Sequence, residues 1–200
     1  MNILAVDTSY NKLVVAVKCG DRVAYRIVSE GMKKNNSLVL PTIDAVLGEL
    51  DIELRDIEYY ACVVGPGSFT GVRIGVSTLN AFNEVYDKKL VSMTALELIA
   101  YDIHAPKFMT SIDARHDNYY SAIFEGDYTC PIEYVCNTKG DLDAFDGKVL
   151  VQDQDNYSID ALIGVAEHKI SESEFVEMLR PLYMKDSQAE REYAEKHAKK

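Results

Sequence analysis

The sequence predicts an α/β fold of mixed sheets with flanking helices. Three features carry the prediction. Short apolar runs separated by tight polar turns open the chain, as in an antiparallel meander. Helical and strand periodicities then alternate. A continuous apolar run leads straight into a glycine-rich loop that opens a helix, the pattern of a strand at the centre of a sheet.

Taken in order, Ile3–Val6 reads as a buried strand ending in Asp7-Thr8-Ser9, Leu13–Val17 as a second and Val23–Val28 as a third. A helix is predicted over Ser37–Leu50, where Val39, Ile43, Val46, Leu47 and Leu50 recur on one face. Asn36 or Ser37 is placed to cap it, and Pro41 falls where early amides have no intrahelical acceptor. No Glu or Gln stands three residues after Ser37, so no capping box is expected. Tyr60–Val64 is a fourth strand, followed by Gly65-Pro66-Gly67-Ser68-Phe69-Thr70-Gly71 and a helix through Tyr86. Leu90–Met93 is a fifth strand and Thr94–His104 a helix. This order, β-β-β-α-β-α-β-α, is that of a ribonuclease-H-like unit.

The second half is similar in style. Strands are predicted at Phe108–Ile112, Tyr119–Phe124, Ile132–Val135 and Val149–Gln152, and a short helix at Ile159–Glu167. The acidic stretch Asp141–Asp155 reads as a solvated loop region, and the polar tail Gln188–Lys200 as helix-prone. The expected division is an N-terminal ribonuclease-H-like subdomain over 1–100 and a smaller one of the same type over 101–200.

The chain has 200 residues, 48% apolar and 26% charged, with a net charge of −11. Such a chain repels a phosphate backbone unless its bases cluster, and Lys33-Lys34, Lys88-Lys89 and Lys199-Lys200 are isolated pairs. Contact with nucleic acid is therefore expected only indirectly, through another subunit. No apolar stretch reaches the roughly 18 residues of a membrane span, and the N-terminus reads as a first strand, not a signal peptide. Cys19, Cys62, Cys130 and Cys136 form no CxxC pair, which fits free thiols in a reducing cytoplasm.

The glycine-rich loop leaves two readings open. Small residues before a helix N-terminus suit an anion, or they form a tight turn that lets elements pack closely. No lysine follows as in a phosphate-binding loop, and Ser68 is not centred as in a nucleophile elbow. Gly71 and Gly75, four apart, form a smooth groove for another helix or for the chain's own sheet. A partner groove predicts that Gly75→Leu weakens association and leaves the monomer folded. The histidines (104, 116, 168 and 197) have no metal-ligand spacing, so no metal site is expected. Asp113-Ala114-Arg115-His116-Asp117 reads as a polar hairpin with Arg115 paired to a carboxylate.

Several of these pieces together resemble the TsaB (YeaZ) family, glycoprotease-like proteins once grouped with peptidase family M22. The matching residues are Ile3–Ser9, Leu40-Pro41, Gly65–Gly75 (GPGSFTGVRIG), Asp113-Ala114-Arg115, Pro181-Leu182-Tyr183 and Ser187-Gln188-Ala189-Glu190. The resemblance implies an actin-like ATPase fold and a non-catalytic part in making threonylcarbamoyladenosine in the tRNA anticodon loop. It implies a TsaD-like catalytic partner, a TsaE-like ATPase, and homodimers through the same helices. Partner-interface residues are then expected at Asn36, Val39, Thr42, Ile43, Val46, Gly71, Ile74, Gly75 and Thr78. In actin-like ATPases acidic residues and small hydroxyls at two matched strand ends hold metal and phosphate. Asp7, Thr8, Ser9 and Asp113 stand at such places, which leaves ATP or ADP open, at the interface of the complex. No cofactor of its own is expected.

The TsaD branch carries a metal-binding H-x-x-x-H after the fifth strand; here the region reads Ser92-Met93-Thr94-Ala95-Leu96-Glu97-Leu98. No catalytic residue is therefore assigned, and the alternatives are an M22-type metalloprotease or a weak actin-like ATPase. The family has a histidine just before the first helix where this chain has Asn36.

Overall fold

The computed structural model describes residues 1–29, 32–126, 131–151 and 158–185. Cys130, the Ser187–Glu190 motif and the polar tail lie outside the described residues.

The first sheet contains β1 (Asn2–Asp7), β2 (Leu13–Cys19), β3 (Arg22–Val28), β4 (Tyr59–Val63) and β5 (Lys89–Met93), in the order β3-β2-β1-β4-β5. β1 pairs antiparallel with β2 and parallel with β4, so the sheet is mixed. The apolar runs have a direct cause: both faces of the central strands are covered. Leu4 and Val6 point into one core with α1 (Met32–Leu50) and α2 (Phe69–Tyr86). Ile3 and Ala5 point into a second core with α3 (Ala95–Ala100) and α5 (Ile159–Ser171).

The second sheet contains β6 (Ala105–Asp113), β7 (Asn118–Gly126), β8 (Glu133–Thr138) and β9 (Lys148–Val151), in the order β8-β7-β6-β9. Phe108 and Phe124 stack at 4.9 Å between ring centres and join the second core. The layers thus run helices, sheet, helices, sheet: the actin-like, ribonuclease-H-like type of α/β fold. Among the described residues no helix is long and apolar enough to cross a membrane.

Three elements differ from the periodicity reading. The first helix begins at Met32, not Ser37. The polar residues before Ser37 have no apolar period, so only the packed turns were legible. Asn36 and Ser37 lie inside the helix and do not cap it, and Pro41 sits in its middle. The predicted helix Thr94–His104 stops at Ala100 because Tyr101 turns extended and Asp102 is left-handed (φ 63°). Ala105 already begins β6. The acidic stretch is not all loop: Thr138 and Asp141 form a capping box that starts a short helix, α4 (Lys139–Asp143), and β9 follows. The Thr138 backbone amide, then its hydroxyl, hold the Asp141 carboxyl below its ordinary value.

After α5 the chain returns to the first sheet. Val176 bridges to Leu90 on the β5 edge. Leu179 is buried, and its backbone amide and carbonyl are both bonded by the Asn80 side chain at 3.0 Å. The Leu182 amide donates to the Val64 carbonyl at 2.8 Å.

Candidate functional site at the glycine loop

β1 ends at Asp7, and the turn after it meets the start of α2. The Asp7 carboxylate accepts the Ser9 amide at 2.7 Å, fixing that turn. The buried Thr8 hydroxyl donates to the Gly71 carbonyl at 2.7 Å and accepts the Gly75 amide at 3.0 Å. The Ser9 carbonyl accepts the Ser68 amide at 2.7 Å. Ser68 caps α2, its hydroxyl accepting from Gly71 at 3.2 Å, while its carbonyl accepts from Val72 at 2.9 Å. The Ser68 and Gly71 amides at the start of α2 are thus bonded to the chain itself.

The glycines make this closure possible. A Cβ on Gly67 would stand 2.4 Å from the Ser9 carbonyl oxygen, and one on Gly71 2.1 Å from that of Thr8. On Gly75 it would stand 2.7 Å from the Thr8 hydroxyl and 3.3 Å from the Cys62 sulfur. The smooth groove therefore holds the protein's own β1–β2 turn, not another helix. Gly75→Leu, tolerable in a partner groove, would here drive a side chain into the core. Thr8→Val removes both buried hydrogen bonds of the hydroxyl. Urea unfolding should show a loss of about 1–3 kcal/mol; an unchanged midpoint would mean that these bonds do not hold the turn.

The C-terminal segment closes the other side. The Phe69 and Tyr183 rings stack at 4.4 Å and 11°. The Arg73 Nε donates to the Tyr183 hydroxyl at 2.7 Å, and its guanidinium lies 5.9 and 5.6 Å from the two ring centres. The family-like motifs GPGSFTGVRIG and Pro181-Leu182-Tyr183 therefore meet in space, a contact that sequence reasoning did not anticipate.

Asp7 and Asp113 come from matched strand ends, and both act on Tyr10 between the sheets. Burial first, then the two carboxylates, push the Tyr10 phenol up; its hydroxyl finds no hydrogen-bond partner among the described residues. Burial and then Asp7 likewise push up the Cys62 thiol. The Asp113 carboxylate accepts the Arg115 amide at 2.7 Å, so the predicted hairpin forms, but this contact uses Arg115's backbone and not its guanidinium. Arg115, His116 and Asp117 all have positive φ at the hairpin tip. Tyr10 was missed because its neighbours are assembled only by the two-sheet fold.

The interface candidates divide by burial. Asn36 is exposed and Ile74 and Thr78 are half-buried. Val39, Thr42, Ile43, Val46, Gly71 and Gly75 are buried within the monomer. The exposed residues of these helices include Ser37, Leu40, Pro41 and Asp44 on α1, and Thr70, Arg73, Ser77 and Val85 on α2.

A family model described as "TsaD: tRNA N6-adenosine threonylcarbamoyltransferase" matches residues 29–135. The TsaB protein of Bacillus subtilis (strain 168) is 31% identical over 128 residues, 62% of this chain and 56% of that protein. The TsaB protein of Buchnera aphidicola subsp. Schizaphis graminum is 35% identical over 99 residues, 49% of this chain and 46% of that protein. The chain thus spans about half the length of these curated relatives. In structure it is similar to YeaZ from Pseudomonas aeruginosa, with a TM-score of 0.74 and 19% identity over 92% of this chain and 99% of that one. With a TsaD family model over more than half its length, TsaB proteins among its relatives and YeaZ among its neighbours in fold, the chain belongs to the TsaD family and, within it, to the TsaB (YeaZ) branch.

Proposed function

We propose that the chain is a non-catalytic partner subunit that binds and supports a TsaD-like catalytic subunit in threonylcarbamoyl transfer to adenosine in the tRNA anticodon loop. The observation that carries this reading is the closure of the glycine loop: its glycines and the Ser68 and Gly75 amides seat α2 on the β1–β2 turn. A loop so engaged positions a helix and does not cradle a reacting phosphate. Two further features support it. Where the TsaD branch carries its histidine pair, this chain has Thr94 and Glu97 in a helix capping box. The net charge of −11 suits a subunit that meets tRNA only through another protein.

Partner binding is assigned to the outward faces of α1 and α2, with Asn36, Leu40, Ile74 and Thr78 at the contact. The same helices would serve a homodimer, and a TsaE-like ATPase would join the assembled pair. Nucleotide would lie between Asp7 and Asp113 at the interface of the complex, where the Ser9 and Tyr10 hydroxyls have no hydrogen-bond partner among the described residues.

Leu40→Glu places a charge on the exposed α1 face. Calorimetric titration with the cognate TsaD-type protein should show at least ~10-fold weaker binding, about 1.4 kcal/mol, at unchanged melting temperature. Unchanged affinity would exclude this face. Turnover of ATP or of peptide by the isolated chain, lost in Asp7→Asn, would replace the reading with an enzymatic one.

A further inference from the structure

Arg73 stands on the exposed side of α2 with Thr70 and Ser77, at helical spacing. Its Nε donates to the Tyr183 hydroxyl at 2.7 Å, and its guanidinium is within cation–π reach of the Phe69 and Tyr183 rings, 5.9 and 5.6 Å from their centres. The two Nη nitrogens have no acceptor and no ion-pair carboxylate among the described residues. Carboxylates are not scarce: the chain has 32 Asp and Glu against 21 Lys and Arg. Lys18, Arg26, Arg55 and Lys169 are each paired with one.

The support under this guanidinium is built from two distant parts of the chain. Phe69 comes from the first turn of α2 and Tyr183 from the C-terminal segment, and their rings stack at 4.4 Å. Tyr183 is placed by the backbone before it, through the Leu182 amide on Val64 and through Leu179 on the Asn80 side chain. An exposed arginine ordinarily gives up much rotamer freedom when it binds; here the ordering is done in the free protein, which favours affinity. With Nε engaged, the two Nη nitrogens remain as a planar fork, the geometry that takes a carboxylate through two parallel hydrogen bonds.

We infer that Arg73 is an anchor for a carboxylate side chain of the TsaD-like partner, with Tyr183 as its positioning residue. Arginine on an aromatic support is typical of the few residues that dominate interface energy. The Arg73–Ser77 stripe adjoins Ile74 and Thr78, so the anchor lies beside the contact already assigned to α2. A carboxylate fits better than an RNA phosphate, because the net charge of −11 repels a phosphate backbone. The inference rests on the reading of the chain as a partner subunit and adds the chemical group that subunit would recognise.

Calorimetric titration of the full chain with the cognate TsaD-type protein tests it. Arg73→Ala should weaken binding at least ~10-fold. Arg73→Lys should recover little of that, since it keeps the charge and loses the fork. Tyr183→Phe keeps the ring stack and removes the orienting hydroxyl, and should weaken binding about 3-fold. In an Arg73→Ala background Tyr183→Phe should have no further effect on affinity, a coupling that a merely structural tyrosine would not show. Wild-type affinity in Arg73→Ala, full affinity in Arg73→Lys, or additive losses in the double variant would each overturn the proposal. So would an Arg73→Ala chain that binds the protein normally and loses affinity for a tRNA transcript, which would assign the guanidinium to a phosphate. If Leu40→Glu weakens binding and Arg73→Ala does not, the anchor alone fails. If the wild-type chain does not bind the TsaD-type protein, the partner reading fails and the anchor with it.

Discussion

Gly71→Ala is expected to lower stability by about 3 kcal/mol, which lowers the melting temperature by roughly 6–12 °C for a chain of this size. The added methyl would lie 2.1 Å from the Thr8 carbonyl oxygen, far inside contact distance. Backbone cannot swing aside as a side-chain tip can, so either α2 lifts from the sheet or the β1–β2 turn moves. Each motion breaks the Thr8 hydroxyl bonds to Gly71 and Gly75. The control is Gly48→Ala near the end of α1, where nothing lies within 4 Å of the new atom. That change should stabilise by up to ~1 kcal/mol, because alanine holds a helix better than glycine. Two glycine-to-alanine changes of opposite sign, read by thermal melting, separate a packing role from a general dislike of glycine. Equal effects would refute the close approach.

Lys169→Met is expected to cost about 3–5 kcal/mol. The Lys169 ammonium lies 2.9 Å from Glu97 and 2.8 Å from Glu174, tying α5 to α3 and to the segment that follows α5. Glu97 is only 4% exposed and also accepts the Thr94 amide that starts α3. Without the lysine its charge is buried with no counterion. Glu97→Gln combined with Lys169→Met keeps a cap, removes the stranded charge and should recover most of the loss. Burial alone would lower the Lys169 pKa, but Glu97 and then Glu174 outweigh it and raise it above the ordinary 10.5. A raised pKa in the folded state stabilises fully below 10.5, and this stability is lost as pH climbs through the folded value. Urea midpoints should therefore hold through neutral pH and fall in strong alkali, and the fall should be smaller in the double variant. A pH profile identical in wild type and double variant would refute the linkage.

The strands were legible because central strands buried on both faces must be apolar throughout, as Ile3–Val6 and Tyr60–Val63 are. The start of α1 was not legible, since its first turn carries no apolar period. The Thr94 capping box was readable in principle, from Thr94 and Glu97 three apart, but the stop at Tyr101 is set by backbone turning into β6. At the site, glycine spacing pointed to close approach, and only the fold could say to what. The interface residues show a more general limit. Hydrophobic periodicity finds the stripe that faces the core, so Val39, Ile43 and Val46, chosen by it, are core residues. The exposed residues of the same helix, Leu40 among them, lie on the opposite side and outside that period. Lys169, Glu97 and Glu174 were silent in sequence because Lys169 and Glu97 lie on different helices and Glu174 follows the second of them.

The return of the chain after α5 bears on how the protein is made. The first sheet is complete by Met93, yet its core still needs Leu179, and the glycine loop still needs Leu182 and Tyr183. Those residues leave the ribosome roughly 85 positions later, and synthesis proceeds at about 5–20 residues per second. For several seconds the nascent N-terminal half presents an unfilled apolar slot between β5 and α2. It is open to chaperones during that interval, and it closes when Leu179 and Leu182 arrive.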